Sequence, residues 1–108
     1  MTLSEPEHTV EVAGHVLVCG PVRAVDDQLV VMFNVSGPNA SPRFPKEHVI
    51  FIRPGDPEKL DSLGGEGVQQ SADTASFEWR LRWPGGTGVD VVYLEGDNLV
   101  VHVEFVAV

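Results

Sequence analysis

The stretch "SFEWRLRW", Ser76 to Trp83, alternates bulky apolar side chains with charged ones. Phe77, Trp79, Leu81 and Trp83 occupy one phase, and Glu78, Arg80 and Arg82 fill the gaps. Successive side chains of a strand point to opposite faces, so this period of two predicts a β-strand with one dry face and one wet face. The dry face carries three rings, each covering roughly 150–250 Å² when buried. Such a strand supplies much of a core and needs a second layer to cover it.

The same period runs outward through most of the chain. "HTVEVAGHVLVCG" (8–20) places Val10 and Val12 on one face, with Gly14 as a bulge or bend. "DDQLVVMFNVSG" (26–37) sets Leu29, Val31, Phe33 and Val35 against Val30, Met32, Asn34 and Ser36, after a turn at Asp26-Asp27. "EHVIFIRP" (47–54) is almost continuously apolar and predicts a strand buried on both faces. "GVDVVYLEG" (88–96) and "NLVVHVEFVAV" (98–108) meet at "EGDN", a hairpin signal.

One helix is signalled, over residues 57–63. Asp56 is its cap, Pro57 fits the first helical position, Gly64 is the terminator, and Leu60 and Leu63 dock it onto the sheets. "SGPNASPRFP" (36–45) and "GGEGVQQSAD" (64–73) read as irregular. These segments predict a single all-β, mainly antiparallel domain over residues 1–108. Its form is a small β-sandwich or partly open barrel of about six to seven strands with that one helix.

The bulk composition narrows the function classes. Apolar residues make up 43% and charged residues 21%, as in ordinary globular domains. Sixteen acidic side chains against seven basic ones give a net charge of -9. That balance repels nucleic acid and anionic membrane, and it suits solubility or a basic protein partner. "MTLSEPEH" has neither positive charge nor an apolar stretch, so no signal peptide is expected, and no apolar run reaches the roughly 18–20 residues of a membrane span. A single cysteine, Cys19, forms no internal disulfide, and the expected compartment is the cytoplasm.

Signals for chemistry are sparse. His8, His15, His48 and His102 form no metal-ligand spacing; His102 with Glu104 is the best pair, and a wet strand face explains it equally well. The four carboxylates of "GDPEKLDSLGGEG" miss the calcium-loop spacing. Cys19 has no identifiable base beside it and reads as a small buried hydrophobe. "PGGTG" (84–88) joins two strands and reads as a turn, not a phosphate cradle. No catalytic residue, metal or cofactor is assigned.

Candidate binding residues fall in two places. "SPRFPKE" (41–47) has a P-x-x-P spacing flanked by Arg43 and Lys46, with Phe44 either displayed at the tip or folded inward to close one end of the sandwich; the inward placement is favoured. On the wet face of the opening strand, Glu78, Arg80 and Arg82 reverse the local field of an acidic chain. They serve cross-strand pairing, with Asp90, His102 and Glu104 expected nearby, or they anchor a partner, since arginine is favoured at interface hot spots. The leading expectation is a non-enzymatic protein-interaction module, in one version an acidic inhibitor of the immunity type or an accessory protein. The alternatives are a small-ligand barrel with a cavity lined by Trp79, Trp83, Tyr93 and Phe105, and a self-associating subunit.

Overall fold

A computed structural model describes residues 8–53, 56–83 and 88–106. Nine antiparallel strands and one short helix occur among them, in the order β1 (His8–Val12), β2 (His15–Val25), β3 (Gln28–Ser36), α1 (Phe44–His48), β4 (Val49–Arg53), β5 (Asp56–Lys59), β6 (Ser62–Ser71), β7 (Thr74–Arg82), β8 (Gly88–Glu95) and β9 (Asn98–Val106). The strands form two sheets, ordered β1-β2-β3-β7-β6 and β5-β4-β8-β9. Their inner faces share one core, which makes the fold a β-sandwich. The radius of gyration is 13.0 Å, the value of a compact chain of about 100 residues.

β7 behaves as its alternation requires. Phe77, Trp79 and Leu81 are buried, as is Trp83 just beyond the strand, while Glu78 and Arg80 are half-buried and Arg82 is exposed. Rings from both sheets meet at the centre. Phe51 of β4 stands edge-on to Trp79, with centroids 5.1 Å apart, and 6.1 Å from Phe33 of β3. The indole N–H groups are satisfied: Trp79 donates to Ser62 Oγ at 3.0 Å and Trp83 to the Gly88 carbonyl at 3.3 Å.

The tight turns follow local chemistry. Ala13 and Gly14 both have positive φ (49° and 78°), as a two-residue hairpin of the primed type demands, so Gly14 separates two strands instead of bulging one. The expected hairpin at "EGDN" is present, with Gly96 at φ 60° and Glu95 paired with Asn98. The turn expected at "PGGTG" involves 84–87, outside the described residues.

Four expectations are corrected. No helix forms over 57–63. Asp56–Lys59 and Ser62–Ser71 are strands, and the backbone at the crossing pairs outward, Leu60 N–H to the Phe51 carbonyl at 2.8 Å and Arg82 N–H to the Asp61 carbonyl at 2.9 Å. Leu60 packs on the core while Leu63 points to solvent, so the two leucines share no face, and a seven-residue helix has little stability to offer against sheet pairing. Gly64, at φ 97°, sits at a register shift in β6 rather than at a helix end. The segment read as an irregular proline loop holds α1 instead, with Pro45 in the first turn where its missing N–H costs nothing. The strand count rises above six to seven because β5 and β6 replace the helix and β1 splits from β2. Finally, β4 buries Val49 and Phe51, but Ile50 and Ile52 are only half-covered, so it is dry on one face alone.

Candidate functional site

The register places three arginines on the outer face of the five-stranded sheet. Arg23 of β2 lies opposite Val30 of β3, which lies opposite Arg80 of β7, and Arg82 follows two residues along, opposite Gln28. Neighbouring strands are about 4.8 Å apart, so Arg23 and Arg80 stand roughly 10 Å from each other with half-buried Val30 between them. On the other flank Arg80 faces Gly64, where even a Cβ would meet nothing within 4 Å. The Arg80 side chain is 42% exposed.

The arginines are weakly held. Arg80 pairs with Glu78 at 3.3 Å along its own strand, and Arg82 pairs with Asp27 of the β2–β3 turn at 3.3 Å. Arg23 has no ion pair among the described residues. Exposed pairs of this kind contribute about 0.2–1 kcal/mol, so a partner carboxylate can replace either one at little cost. Glu78 also stands opposite Glu66 of β6, a like-charge pair that disfavours the sheet locally. Asp90, His102 and Glu104, expected beside the arginines, lie on β8 and β9 in the other sheet. Arg23 was missed because its place in the row depends on strand order.

Arg43 and Phe44 do not join this face. Phe44 is buried at one end of the sandwich between the rings of His15 and His48, with centroids 4.4 and 4.3 Å away. His15 Nε2 lies 2.8 Å from the Pro38 carbonyl, and His48 Nδ1 lies 2.9 Å from that of Leu94, so both rings are fixed. Gly37 is required there, because a Cβ would lie 2.8 Å from the His15 ring.

Arg43 lines a cleft of about 640 Å³ with Pro42, Lys46, Glu47, Gly67 and Phe77. A second cleft of about 200 Å³ shares Lys46 and runs past Lys59, Leu60 and Trp79. Trp83, Tyr93 and Phe105, offered with Trp79 as cavity walls, lie fully inside the packed core instead.

A polar cluster joins β1, β2 and β8 at the edge of the core. His8 Nε2 and the Tyr93 hydroxyl share a hydrogen bond of 2.7 Å, and Tyr93 also bonds Cys19. Burial pushes the Cys19 thiol up to about 12, against the opposing effect of the Tyr93 bond. Nucleophilic cysteines need the reverse shift. His102 and Glu104 are exposed neighbours on β9, and no group of three or more metal-ligating side chains occurs among the described residues. No described helix is long and apolar enough to cross a membrane. Comparison with protein-family models, with curated proteins and with solved structures gives no match.

Proposed function

We propose that this chain is a non-enzymatic protein-interaction module whose contact surface is the outer face of the β1-β2-β3-β7-β6 sheet, anchored on Arg80 with Arg23, Arg82 and Glu78 around it. The observation that carries this reading is the row Arg23–Val30–Arg80 with Arg82 two residues along β7. It concentrates three of seven basic side chains on one face of a chain with net charge -9, and surrounds them with half-buried Val30 and Met32. Arginine set in apolar surface is the chemistry of interface hot spots. The partner's contact patch would supply carboxylates to these arginines, while the chain's net charge of -9 draws at long range a partner that is basic elsewhere, as an acidic inhibitor or accessory protein would require.

The test is affinity capture with wild-type chain and an R23E/R80E variant that keeps its sheet content by circular dichroism. A protein retained by the wild type, lost by the variant and released as salt rises supports the reading. Capture of no protein, or of the same proteins by both chains, overturns it.

A second reading, self-association, is favoured by β9. This edge strand exposes Leu99, Val100 and Val101 (60%, 40% and 37%), and its described residues include no proline or lysine that would blunt pairing. A two-fold axis at Val103 sets His102 of one copy opposite Glu104 of the other, twice. Sedimentation of a monomer at millimolar concentration removes this reading.

A further inference from the structure

We propose that the outer face of the β5-β4-β8-β9 sheet holds a binding site for a lysine side chain of a basic protein, with Asp90 as its anion and Ile52, Val92 and Leu99 as its apolar walls. This goes beyond the arginine-face reading, since the site lies on the other sheet and takes the opposite charge. Ile52, Asp90, Val92, Leu99 and His102 line a cleft of about 270 Å³. That is below the roughly 300–1,000 Å³ of sites for whole small molecules, and it suits one long side chain.

Asp90 works against its own sheet. The outward phase of β8 runs Asp90, Val92, Leu94, so a residue type depleted in strands interrupts an apolar row. Its cross-strand neighbours are Ile52 on β4 and Glu104 on β9. A hydrophobe on one side and a like charge on the other both disfavour the carboxylate. Asp90 Oδ1 is shut off from solvent and accepts no hydrogen bond. Neither Asp90 nor Glu104 has an ion pair among the described residues, and Lys59, opposite Ile52 on β5, lines a different cleft beside Leu60 and Trp79. A buried oxygen without a donor costs stability, and nothing in the sheet offsets that cost. Local conflicts of this kind are expected at functional positions.

The neighbours define the occupant. Two carboxylates on directly opposed residues favour a cation between them. Leu99 is 60% exposed, and Ile52 and Val92 are half-covered, so apolar surface stands open beside the charge. Leu99 pairs with Leu94, two positions beyond Val92 and so roughly 7 Å further along the strand. A metal ion or a bare ammonium would leave that surface wet. A lysine lays its methylene stem along Val92 and Leu99 and brings its ammonium to Asp90 and Glu104. Leu99 and His102 are exposed, so they can turn and admit the ammonium to the enclosed oxygen. The net charge of -9 draws the basic protein that carries the lysine.

The experiment titrates isotope-labelled protein with n-pentylammonium, with uncharged n-pentanol, and with the capped tripeptide acetyl-Gly-Lys-Gly-amide, following amide shifts by NMR. Pentylammonium and the peptide are expected to move Asp90, Val92 and His102 saturably, with pentanol about ten-fold weaker or more. D90N is expected to weaken pentylammonium by a similar factor while raising the melting temperature, because it removes an unpaired charge facing Glu104. E104Q, at an exposed position, is expected to weaken binding less. Equal binding of amine and alcohol, shifts centred elsewhere, no saturable binding, or a D90N chain that melts lower overturns the proposal. Binding of pentylammonium without the peptide overturns lysine as the occupant. The R23E/R80E chain should bind pentylammonium as the wild type does, so failure here leaves the arginine-face reading standing, and the reverse holds.

Discussion

Cys19 and Tyr93 show how burial turns single residues into determinants of pH behaviour. Both are fully buried, and burial raises both above their ordinary values, Cys19 to about 12 from 9.0. A group whose pKa is raised in the folded state keeps its proton where the unfolded chain has lost it. The stabilisation is therefore complete below about pH 9 and is lost as the pH climbs toward 12. The unfolding free energy from denaturant curves should be flat from neutral to about pH 8.5 and then fall, by up to ~4 kcal/mol if the whole Cys19 shift is realised. Cys19→Ala should cost about 1–2 kcal/mol at neutral pH through lost packing, and should fall less steeply above pH 9. Parallel curves for the two proteins would contradict the assignment. At this scale the sequence was legible for β7: alternation alone placed Phe77, Trp79, Leu81 and Trp83 inside. The burial of Cys19 followed from its apolar strand, whereas its contact with Tyr93 did not, because they are 74 positions apart in different sheets.

Elements were legible where one periodicity dominates, and failed where capping residues and sheet pairing competed. Asp56, Pro57 and Gly64 satisfy the local grammar of a helix, yet the backbone of 56–71 gains more from β4 and β7 than seven helical residues could supply. Conversely, two prolines in "SPRFPKE" suggested an extended loop, while Pro45 in the first turn is compatible with α1. Phe44 supplied the missing information, since its docking between His15 and His48 fixes the segment. β6 explains its own glycines. At Gly65 a Cβ would lie 2.2 Å from the Glu78 carbonyl oxygen, a backbone atom that cannot move without parting β6 from β7. Gly65→Ala should therefore destabilise by about 1–3 kcal/mol and loosen amide protection along β6 and β7. Gly14→Ala, with open space but positive φ, should cost about 1–2 kcal/mol through backbone strain alone and leave amide protection in β6 and β7 unaltered. Equal effects of the two substitutions would mean that close strand approach is not what glycine provides in β6.

The whole molecule separates its charges by surface. Arg23, Arg80 and Arg82 occupy the outside of one sheet, Arg43, Lys46 and Lys59 border the clefts, and acidic side chains outnumber all seven cations by sixteen to seven. Composition revealed the imbalance, but its placement required strand order. Arg23 and Arg80 are 57 residues apart and become neighbours only because β7 inserts beside β3. A net charge of -9 repels itself, and only two ion pairs, one half-buried and one exposed, oppose it among the described residues. Raising salt from 0.1 to 1 M shortens the screening length from about 10 Å to about 3 Å, which should relieve this repulsion. Gaining roughly 1 kcal/mol would lift the melting temperature by about 4–8 °C for a domain of this size. Binding to a basic partner through the arginine-anchored face should change in the opposite direction, because the same screening removes long-range attraction. The two signs make one salt titration decisive: a fold that strengthens while the complex weakens places the excess charge at the service of binding. A melting temperature that falls with salt would show instead that the acidic side chains are engaged in stabilising contacts within the chain.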